Sequence, residues 1–283
     1  MTNRAGIQKL TTSPFFVNIT RRILLTALTA SALIFSACGT LLPSGNVEVT
    51  QALAPTGKLR VGVYAGSPTS MIVDPKSGEK IGIALDLGRE LAREIGVPVD
   101  VVEFRRIAEV IEALQMGAVD FTFTNASAAR AKLVDFTPPM LQLELGYLVP
   151  ESSAMRGVGD VDRAGIRVGV SEGSSSQVTL TREYKQARIV AAPSLTAARE
   201  MLQRGLLDVF ATNKAVLHEL NGELPEFRIL EGRWGVENMA VAIPKGRERG
   251  MPTLRAFAER AKQSGLLQLL VEKAGLRGAS KDF

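Results

Sequence analysis

The chain has 283 residues, of which 46% are hydrophobic and 22% are charged, so it is not a disordered protein and is long enough for about two ordinary domains. Its net charge of +5 comes from 34 Lys and Arg against 29 Asp and Glu. Residues 1–37 hold four of these cations and no acid, which leaves 30 cations against 29 acids and removes the charge argument for nucleic-acid binding. A single Cys and a single His exclude an internal disulfide and a His-rich metal site, and we predict no metal and no cofactor.

The first predicted element is a signal peptide over residues 1–37. Two arginines precede 13 largely apolar residues, 23–35, a length typical of a signal-peptide core and too short to span a bilayer comfortably. Small residues before Cys38 are similar to a bacterial lipobox, so we predict export with a lipid attached to that cysteine. The alternatives are cleavage near Ala37 without a lipid, or an uncleaved leader. The Pro, Gly and Ser residues that follow predict a flexible tether over 38–57.

Two segments of the remaining chain recur in the same order. Residues 60–67 (RVGVYAGS) match 167–174 (RVGVSEGS), and 114–125 (LQMGAVDFTFTN) match 202–213 (LQRGLLDVFATN). Each first segment is a β-rich run that ends in Gly-Ser, and each second is a helix end followed by a buried strand that ends in Thr-Asn. Two matched pairs in one order predict two similar α/β lobes.

Helical patterns lie between these predicted strands. Ala84, Leu87, Leu91 and Ile95 recur every three or four residues and form an apolar stripe. Strands that alternate with helices predict mostly parallel sheets with crossover connections. Since ligands bind beyond the carboxyl ends of such strands, two facing lobes would bring both Gly-Ser turns and both Thr-Asn endings to one cleft.

The lobe boundaries follow from two strand-like runs, near 143–150 and 238–244, and from apolar helical stripes at the end of the chain. We predict that lobe 1 comprises residues 58–146 and 241–283, and that lobe 2 comprises 147–240. Two crossings between the lobes make a two-stranded hinge, the arrangement of clamshell binding proteins.

Guanidinium, hydroxyl and amide groups are the candidate ligand-binding groups of this cleft. Arg130 follows a strand end and could hold a carboxylate with two parallel hydrogen bonds; the alternative is a solvated arginine near a helix start. Gly173, Ser174 and Ser175 offer free N–H groups and hydroxyls to an anion; the alternative is that one serine only caps a helix. The other residues that we expect in the cleft are Ser127, Asn125, Asn213, Ser67 and Ser70.

One hydrolase motif is present. Residues 169–173 match Gly-x-Ser-x-Gly, with Ser171 in the nucleophile's place. The base would have to be His218, which lies in a helix-like segment. Gly62 and Gly66 hold the same places in the other lobe without a Ser between them, so the repeat explains the motif better than catalysis does.

The chain from about 58 to 275 resembles the bacterial extracellular solute-binding proteins of family 3, which serve amino-acid-type ABC importers. Residues 82–95 are similar to the family signature, and 127–139 are similar to its Thr-x-x-Arg…Phe-Ser-x-Pro run. In the family this Arg holds the ligand's α-carboxylate and a Gly-Thr-Thr loop donates to the same group. The resemblance therefore implies these roles for Arg130 and for residues 173–175.

The same resemblance implies a type II periplasmic-binding-protein clamshell without enzymatic activity. It implies a periplasmic monomer, anchored by a lipid at Cys38, that delivers a small anionic or zwitterionic solute to an ABC permease in the inner membrane. One alternative is a periplasmic enzyme on this scaffold, such as a dehydratase of a carboxylic acid, with Glu172 as the nearby acid. A receptor's sensor domain is disfavoured because nothing membrane-spanning or kinase-like follows Phe283.

Two departures from the family pattern bear on the ligand. The family usually places an acid at Asn213 to pair with the ligand's ammonium group, and aromatic residues near Ser67 and Ser70. An unpaired buried ammonium would cost about 1–3 kcal/mol. We therefore expect an anion without a free amine, unless another acid such as Glu144 or Glu237 meets the amine.

Overall fold

The computed structural model of the protein describes residues 44–280. The predicted signal peptide over 1–37 and the predicted lipidation site Cys38 lie outside the described residues. The described chain is a two-lobed α/β clamshell, which confirms the predicted fold class. Within residues 44–280, no helix has the length and apolar character needed to cross a membrane.

Helices and strands alternate through most of the described chain. The helices are α1 (Ser44–Leu53), α2 (Ile83–Ile95), α3 (Ile107–Gln115), α4 (Ser175–Glu183), α5 (Leu195–Gln203), α6 (Lys214–Glu223), α7 (Met251–Gln263) and α8 (Leu266–Lys273). Short 3-10 turns span Arg130–Lys132, Val158–Asp160 and Glu248–Gly250. The strands are β1 (Leu59–Tyr64), β2 (Ile72–Val73), β3 (Lys80–Ile81), β4 (Val99–Phe104), β5 (Thr122–Asn125), β6 (Val134–Phe136), β7 (Leu141–Pro150), β8 (Arg167–Ser171), β9 (Arg188–Ala192), β10 (Val209–Asn213), β11 (Phe227–Ile229) and β12 (Gly235–Pro244).

Lobe 1 has apolar cores on both faces of its sheet. β1 pairs in parallel with β4, a parallel bridge joins Val61 to Phe121 just before β5, and β5 pairs with β12. One core contains residues of α2, α7 and α8, and the other contains residues of α3. The predicted stripe of α2 is real, since Ala84, Leu87 and Leu91 are fully buried in the first core. This packing holds the carboxyl ends of β1 and β5 at the cleft.

Lobe 2 has a similar arrangement of strands and helices, but the strand at the edge of its sheet is different. β8 pairs in parallel with β9 and with β10, and β10 pairs antiparallel with β7. Residues of α5 and α6 fill the core on one face, and Leu180 of α4 lies in the core on the other. The carboxyl ends of β8 and β10 therefore face the same cleft as those of β1 and β5.

Two long strands connect the lobes. β7 and β12 pair antiparallel from Gly235 opposite Leu145 to Met239 opposite Leu141. Beyond this stretch β12 continues along β5, while β7 continues along β10. The predicted crossover helices indicated parallel strand pairs. They did not indicate the antiparallel strand pairs of β7 and β12. The residue boundaries of the two lobes stay a prediction.

The predicted tether over 38–57 requires a correction in its described part. Residues 44–53 form helix α1, and Leu53 at its end is 1% exposed within the core of lobe 1. The Thr50 hydroxyl donates to the Ile95 carbonyl at 3.4 Å, and Arg249 pairs with Glu48 at 2.8 Å. The Pro and Gly residues that predicted flexibility stand at the two ends of the segment, and 46–54 contains neither. This segment is thus part of lobe 1.

The two repeats carry matching Arg–Asp pairs at the start of their first strands. Arg60 donates from Nε and Nη2 to the two oxygens of Asp120 at 2.8 and 2.7 Å. Arg167 binds Asp208 in the same way at 2.9 and 2.8 Å. Asp120 is fully buried and also accepts from Arg247 at 2.7 Å, whereas the Asp208 side chain is 31% exposed.

This difference in burial predicts unequal effects of the same substitution. Asp120→Asn removes a buried charge that two arginines share, and we expect it to lower the free energy of unfolding by about 3–5 kcal/mol. Asp208→Asn is the matched control, and its half-exposed pair is expected to contribute only about 1 kcal/mol. Urea unfolding followed by circular dichroism measures both. Equal losses in the two variants would contradict the assignment.

Candidate functional site

The cleft between the lobes holds an enclosed polar cavity of about 40 Å³. Residues of β1, β5 and the start of α3 line it from lobe 1, and residues of β8, β10 and the start of α4 line it from lobe 2. The connecting strand β12 contributes Glu237 and Met239. The cavity is small because polar side chains of the two lobes contact each other across it.

Arg130 supplies the positive charge of the cavity. It lies in the 3-10 turn after β5 and is 8% exposed. Its Nη1 donates to Thr124 Oγ1 at 2.9 Å and to the Asn125 carbonyl at 3.5 Å. Burial lowers the pKa of the Arg130 guanidinium, and the charge of Glu237 acts in the opposite direction. The arginine is thus a desolvated cation, an arrangement that an anionic ligand group would stabilise.

Glu237 supplies the negative charge. It lies on β12 opposite Leu143 of β7, where the chain crosses between the lobes, and it is 7% exposed. Its Oε1 accepts from Ser175 Oγ at 2.7 Å and from Asn125 Nδ2 at 3.4 Å, and its Oε2 accepts from Asn213 Nδ2 at 3.0 Å. All three contacts use Glu237 as an acceptor, the role of an ionised carboxylate.

The Gly-Ser-Ser segment before α4 combines capping and cleft contacts. Ser174 is the helix N-cap, since its Oγ accepts from Gln177 N at 3.1 Å, yet it also lines the cavity. Ser175 lines the cavity and also accepts from Asn125 Nδ2 at 3.2 Å, which joins the two lobes. Gly173 has φ 70°, and a Cβ there would lie 2.5 Å from the Cβ of Ala108. Gly173 therefore permits close contact between the lobes and does not itself line the cavity.

Three serines predicted in the cleft are not among the residues that line the cavity, which corrects the prediction. Ser127 Oγ accepts from the Arg130 amide at 3.3 Å and so holds the turn that carries the arginine. Ser67 and Ser70 are buried; Ser67 Oγ lies 2.9 Å from Thr69 Oγ1, and Ser70 Oγ accepts from Tyr64 N at 2.8 Å. These hydroxyls satisfy the loop after β1, which would otherwise bury unpaired polar groups.

Tyr64 and Thr69 lie at the cavity where we expected Ser67 and Ser70. Both line the cavity, and Tyr64 also packs against cores of both lobes. Desolvation raises the pKa of the Tyr64 hydroxyl, and a hydrogen bond with Ser67 opposes that effect. The serines near 67 and 70 led us to expect no aromatic side chain in the cleft, whereas Tyr64 at the end of β1 supplies one. Its place in the RVGVYAGS repeat, where lobe 2 has Ser171, was the available signal.

Five of the nine predicted ligand-binding residues meet in this cavity. Both Thr-Asn endings line it, so the repeat brings equivalent groups together from the two lobes. Asn213 also caps α6, since its Oδ1 accepts from Val216 N at 3.1 Å. The five residues are Arg130, Asn125, Asn213, Ser174 and Ser175.

Other side chains considered from the sequence lie elsewhere. Glu144 pairs with Lys214 at 2.6 Å and Arg233 at 3.4 Å, and these cations lower its pKa. His218 lies on α6 and is not among the cavity-lining residues. Among residues 44–280, no three His, Cys, Asp or Glu side chains are grouped to hold a metal ion. Of the two acids considered for a ligand amine, only Glu237 lies at the cavity.

Comparison with known proteins agrees with this architecture. The chain is 21% identical over 253 residues to the ABC transporter glutamine-binding protein GlnH of Bacillus subtilis (strain 168), an alignment that covers 86% of this chain and 92% of the relative. Among solved structures, a mutant of ArgBP from T. maritima matches with a TM-score of 0.72 and 23% identity, covering 80% of this chain and 99% of that one. The ancestral amino acid-binding protein AncCDT-1, a precursor of cyclohexadienyl dehydratase, matches with a TM-score of 0.68 and 25% identity, covering 81% of this chain and 99% of that one.

The family assignment follows from a match to a family model. The model of the bacterial extracellular solute-binding proteins, family 3, matches residues 59–276, which include both lobes and every residue at the cavity. The chain therefore belongs to the bacterial extracellular solute-binding proteins, family 3.

Proposed function

We propose that this protein is the non-enzymatic substrate-binding component of an amino-acid ABC importer, and that its ligand is a zwitterionic α-amino acid. One observation carries the proposal: a buried arginine and a buried glutamate, Arg130 and Glu237, face one enclosed cavity between two lobes. An α-amino acid carries the complementary pair of charges on two groups bonded to one carbon. The curated relative named as glutamine-binding supports the same ligand class.

The carboxylate end of the ligand is assigned to Arg130. Among the described residues, its side chain donates only to neutral oxygens, those of Thr124 and Asn125. A ligand carboxylate would give this desolvated cation a charged acceptor, and hydrogen bonds between charged groups are roughly twice as strong as neutral ones. Ser174 and Ser175 lie at the start of α4, where hydroxyls and free N–H groups favour an anion.

The ammonium end is assigned to Glu237. The presence of Asn213 in place of an acid led us to expect a ligand without an amine unless another acid replaced it. Asn213 donates to Glu237 at 3.0 Å, so the carboxylate stands next to the position where the family usually carries it. When an ammonium group binds Glu237, the Ser175 hydroxyl is released from that carboxylate and becomes available to the ligand.

Closure of the lobes would couple binding to transport. Asn125 and Ser175 come from different lobes and meet at Glu237, so a ligand at this point contacts both. A permease in the inner membrane can then favour the closed form. We further propose that the protein acts as a periplasmic monomer held at the membrane by a lipid on Cys38.

A calorimetric panel tests the proposed function. The purified protein is titrated with L-amino acids, with the carboxylic acids that lack the α-amine, and with the amines that lack the carboxylate. We expect both kinds of analogue to bind at least about 10-fold more weakly than the best amino acid, because each leaves one buried charge unpaired. Equal binding of the deaminated acid would contradict the proposal. Mass spectrometry of the recovered ligand completes the test, since conversion to a product would indicate an enzyme.

A further inference from the structure

Another arginine of the cavity wall, Arg106, has a donor that nothing accepts. Arg106 follows β4 at the start of α3 and forms part of the cavity wall. Its Nε is buried, and within residues 44–280 it is the one buried side-chain nitrogen or oxygen without a hydrogen-bond partner. A buried donor left unsatisfied costs about 1–3 kcal/mol, so such an atom in a binding cavity calls for an acceptor.

The other end of the Arg106 guanidinium is held in place. Its Nη1 lies 3.2 Å from Glu172 Oε2 of lobe 2 and 3.5 Å from Glu109 Oε1 of α3. The Arg106 side chain is only 20% exposed, in contrast to the neighbouring Arg105 at 77%. Carboxylates from both lobes therefore pair with one end of the guanidinium, Nη1, and leave Nε without an acceptor.

The ligand's main-chain groups already have partners in this cavity. The proposed function assigns the α-carboxylate to Arg130 and the ammonium to Glu237, and this step rests on it. What remains of the ligand to meet Arg106 is its side chain. Resting on that assignment, we infer that Arg106 determines specificity and that the transported amino acid ends in a carboxylate or carboxamide, whose oxygen accepts a hydrogen bond from Arg106 Nε.

The charges of the cavity agree with this ligand class. Arg105, Arg106 and Arg130 give three cations against the single carboxylate of Glu237 among the residues that line the cavity. A lysine-like or arginine-like side chain would bring a fourth cation and could not accept from Nε. An apolar side chain would leave the donor unsatisfied. A carboxylate or amide oxygen avoids both costs.

The test compares side chains rather than a single affinity. Wild type, Arg106→Met and the control Arg93→Gln, at an exposed arginine of α2 that does not line the cavity, are titrated calorimetrically with L-glutamate, L-glutamine, L-aspartate, L-asparagine, L-leucine and L-lysine. We expect wild type to bind at least one of the first four about 10- to 100-fold more tightly than leucine or lysine. Arg106→Met should remove this preference and leave leucine binding unchanged, whereas Arg93→Gln should preserve it. The order of acids and amides identifies the terminal group.

The Glu172→Gln variant distinguishes an effect on ligand side-chain selectivity from an effect on lobe closure. This variant removes one charged contact between the lobes but keeps Arg106, so we expect it to weaken all six ligands by a similar factor. If Arg106→Met also weakens all six equally, or if wild type prefers leucine or lysine, the inference is overturned. Binding of amino acids without side-chain preference overturns this inference alone. Binding of no amino acid overturns the proposed function together with it.

Discussion

Arg130→Met is expected to abolish ligand binding while the protein stays folded. The substitution removes the guanidinium that we assign to the ligand's carboxylate and leaves Glu237 as the charged group of that part of the cavity. Charge-assisted hydrogen bonds contribute about 1.5–3 kcal/mol each, so loss of a two-bond contact should raise the Kd by at least about 100-fold. Calorimetry measures the affinity, and thermal unfolding in the absence of ligand measures stability.

The stability of this variant distinguishes a binding role from a structural one. Arg130 donates to Thr124 and Asn125, and those bonds are lost. Burial of the guanidinium works against the charged form, as the lowered pKa of Arg130 shows, and that cost is removed. We therefore expect the free energy of unfolding to stay within about 1 kcal/mol of wild type.

Arg130→Lys serves as the control for charge without geometry. Lysine keeps the charge but lacks the planar fork, so we expect an intermediate loss of about 10-fold in affinity. Wild-type binding by Arg130→Met would show that the carboxylate lies elsewhere. A folded Arg130→Met that binds nothing, beside an Arg130→Lys that binds weakly, is the result that the assignment requires.

The repeat makes much of the site predictable from the amino-acid sequence. Equivalent segments fold into equivalent strands, and in parallel sheets the carboxyl ends of strands lie at one edge. Asn125 and Asn213 therefore reach one cavity from two lobes, and Arg60 and Arg167 form matching ion pairs at the starts of β1 and β8. Arg130 could be placed because its segment follows the end of β5.

The roles of other residues at the site could not be predicted from the repeat. Glu237 is on β12, whose antiparallel pairing with β7 depends on how the two lobes sit together. The Nε of Arg106 is buried and without a partner only as a result of the folded structure, in which Glu172 of the other lobe pairs with Nη1 of the same side chain. Ser67 and Ser70 looked like site residues, but a buried loop after β1 needs their hydroxyls for its own polar groups. Tertiary contacts determine the roles of all these residues.

Glu237→Gln is expected to reverse the preference between an amino acid and its deaminated analogue. Glutamine preserves the shape of the side chain but lacks the charge that we assign to the ligand's ammonium group. We expect the affinity for the best amino acid to fall by about 10- to 100-fold, since that ammonium would be buried without an anion. The deaminated carboxylate has no such group and should bind at least as tightly as it does to wild type. Competition calorimetry with both ligands gives the ratio directly.

Moving the charge to the neighbouring side chain should restore binding. Asn213 Nδ2 lies 3.0 Å from Glu237 Oε2, so Asn213→Asp in the Glu237→Gln background places a carboxylate beside the lost one. Aspartate can still cap α6 as Asn213 does, so the helix start is preserved. The same Asn213→Asp change in wild type would put two carboxylates in contact, and their repulsion should weaken the closed form. One substitution is thus expected to rescue the variant and to impair the wild type. A double variant that binds no better than Glu237→Gln alone would place the ammonium site away from both residues.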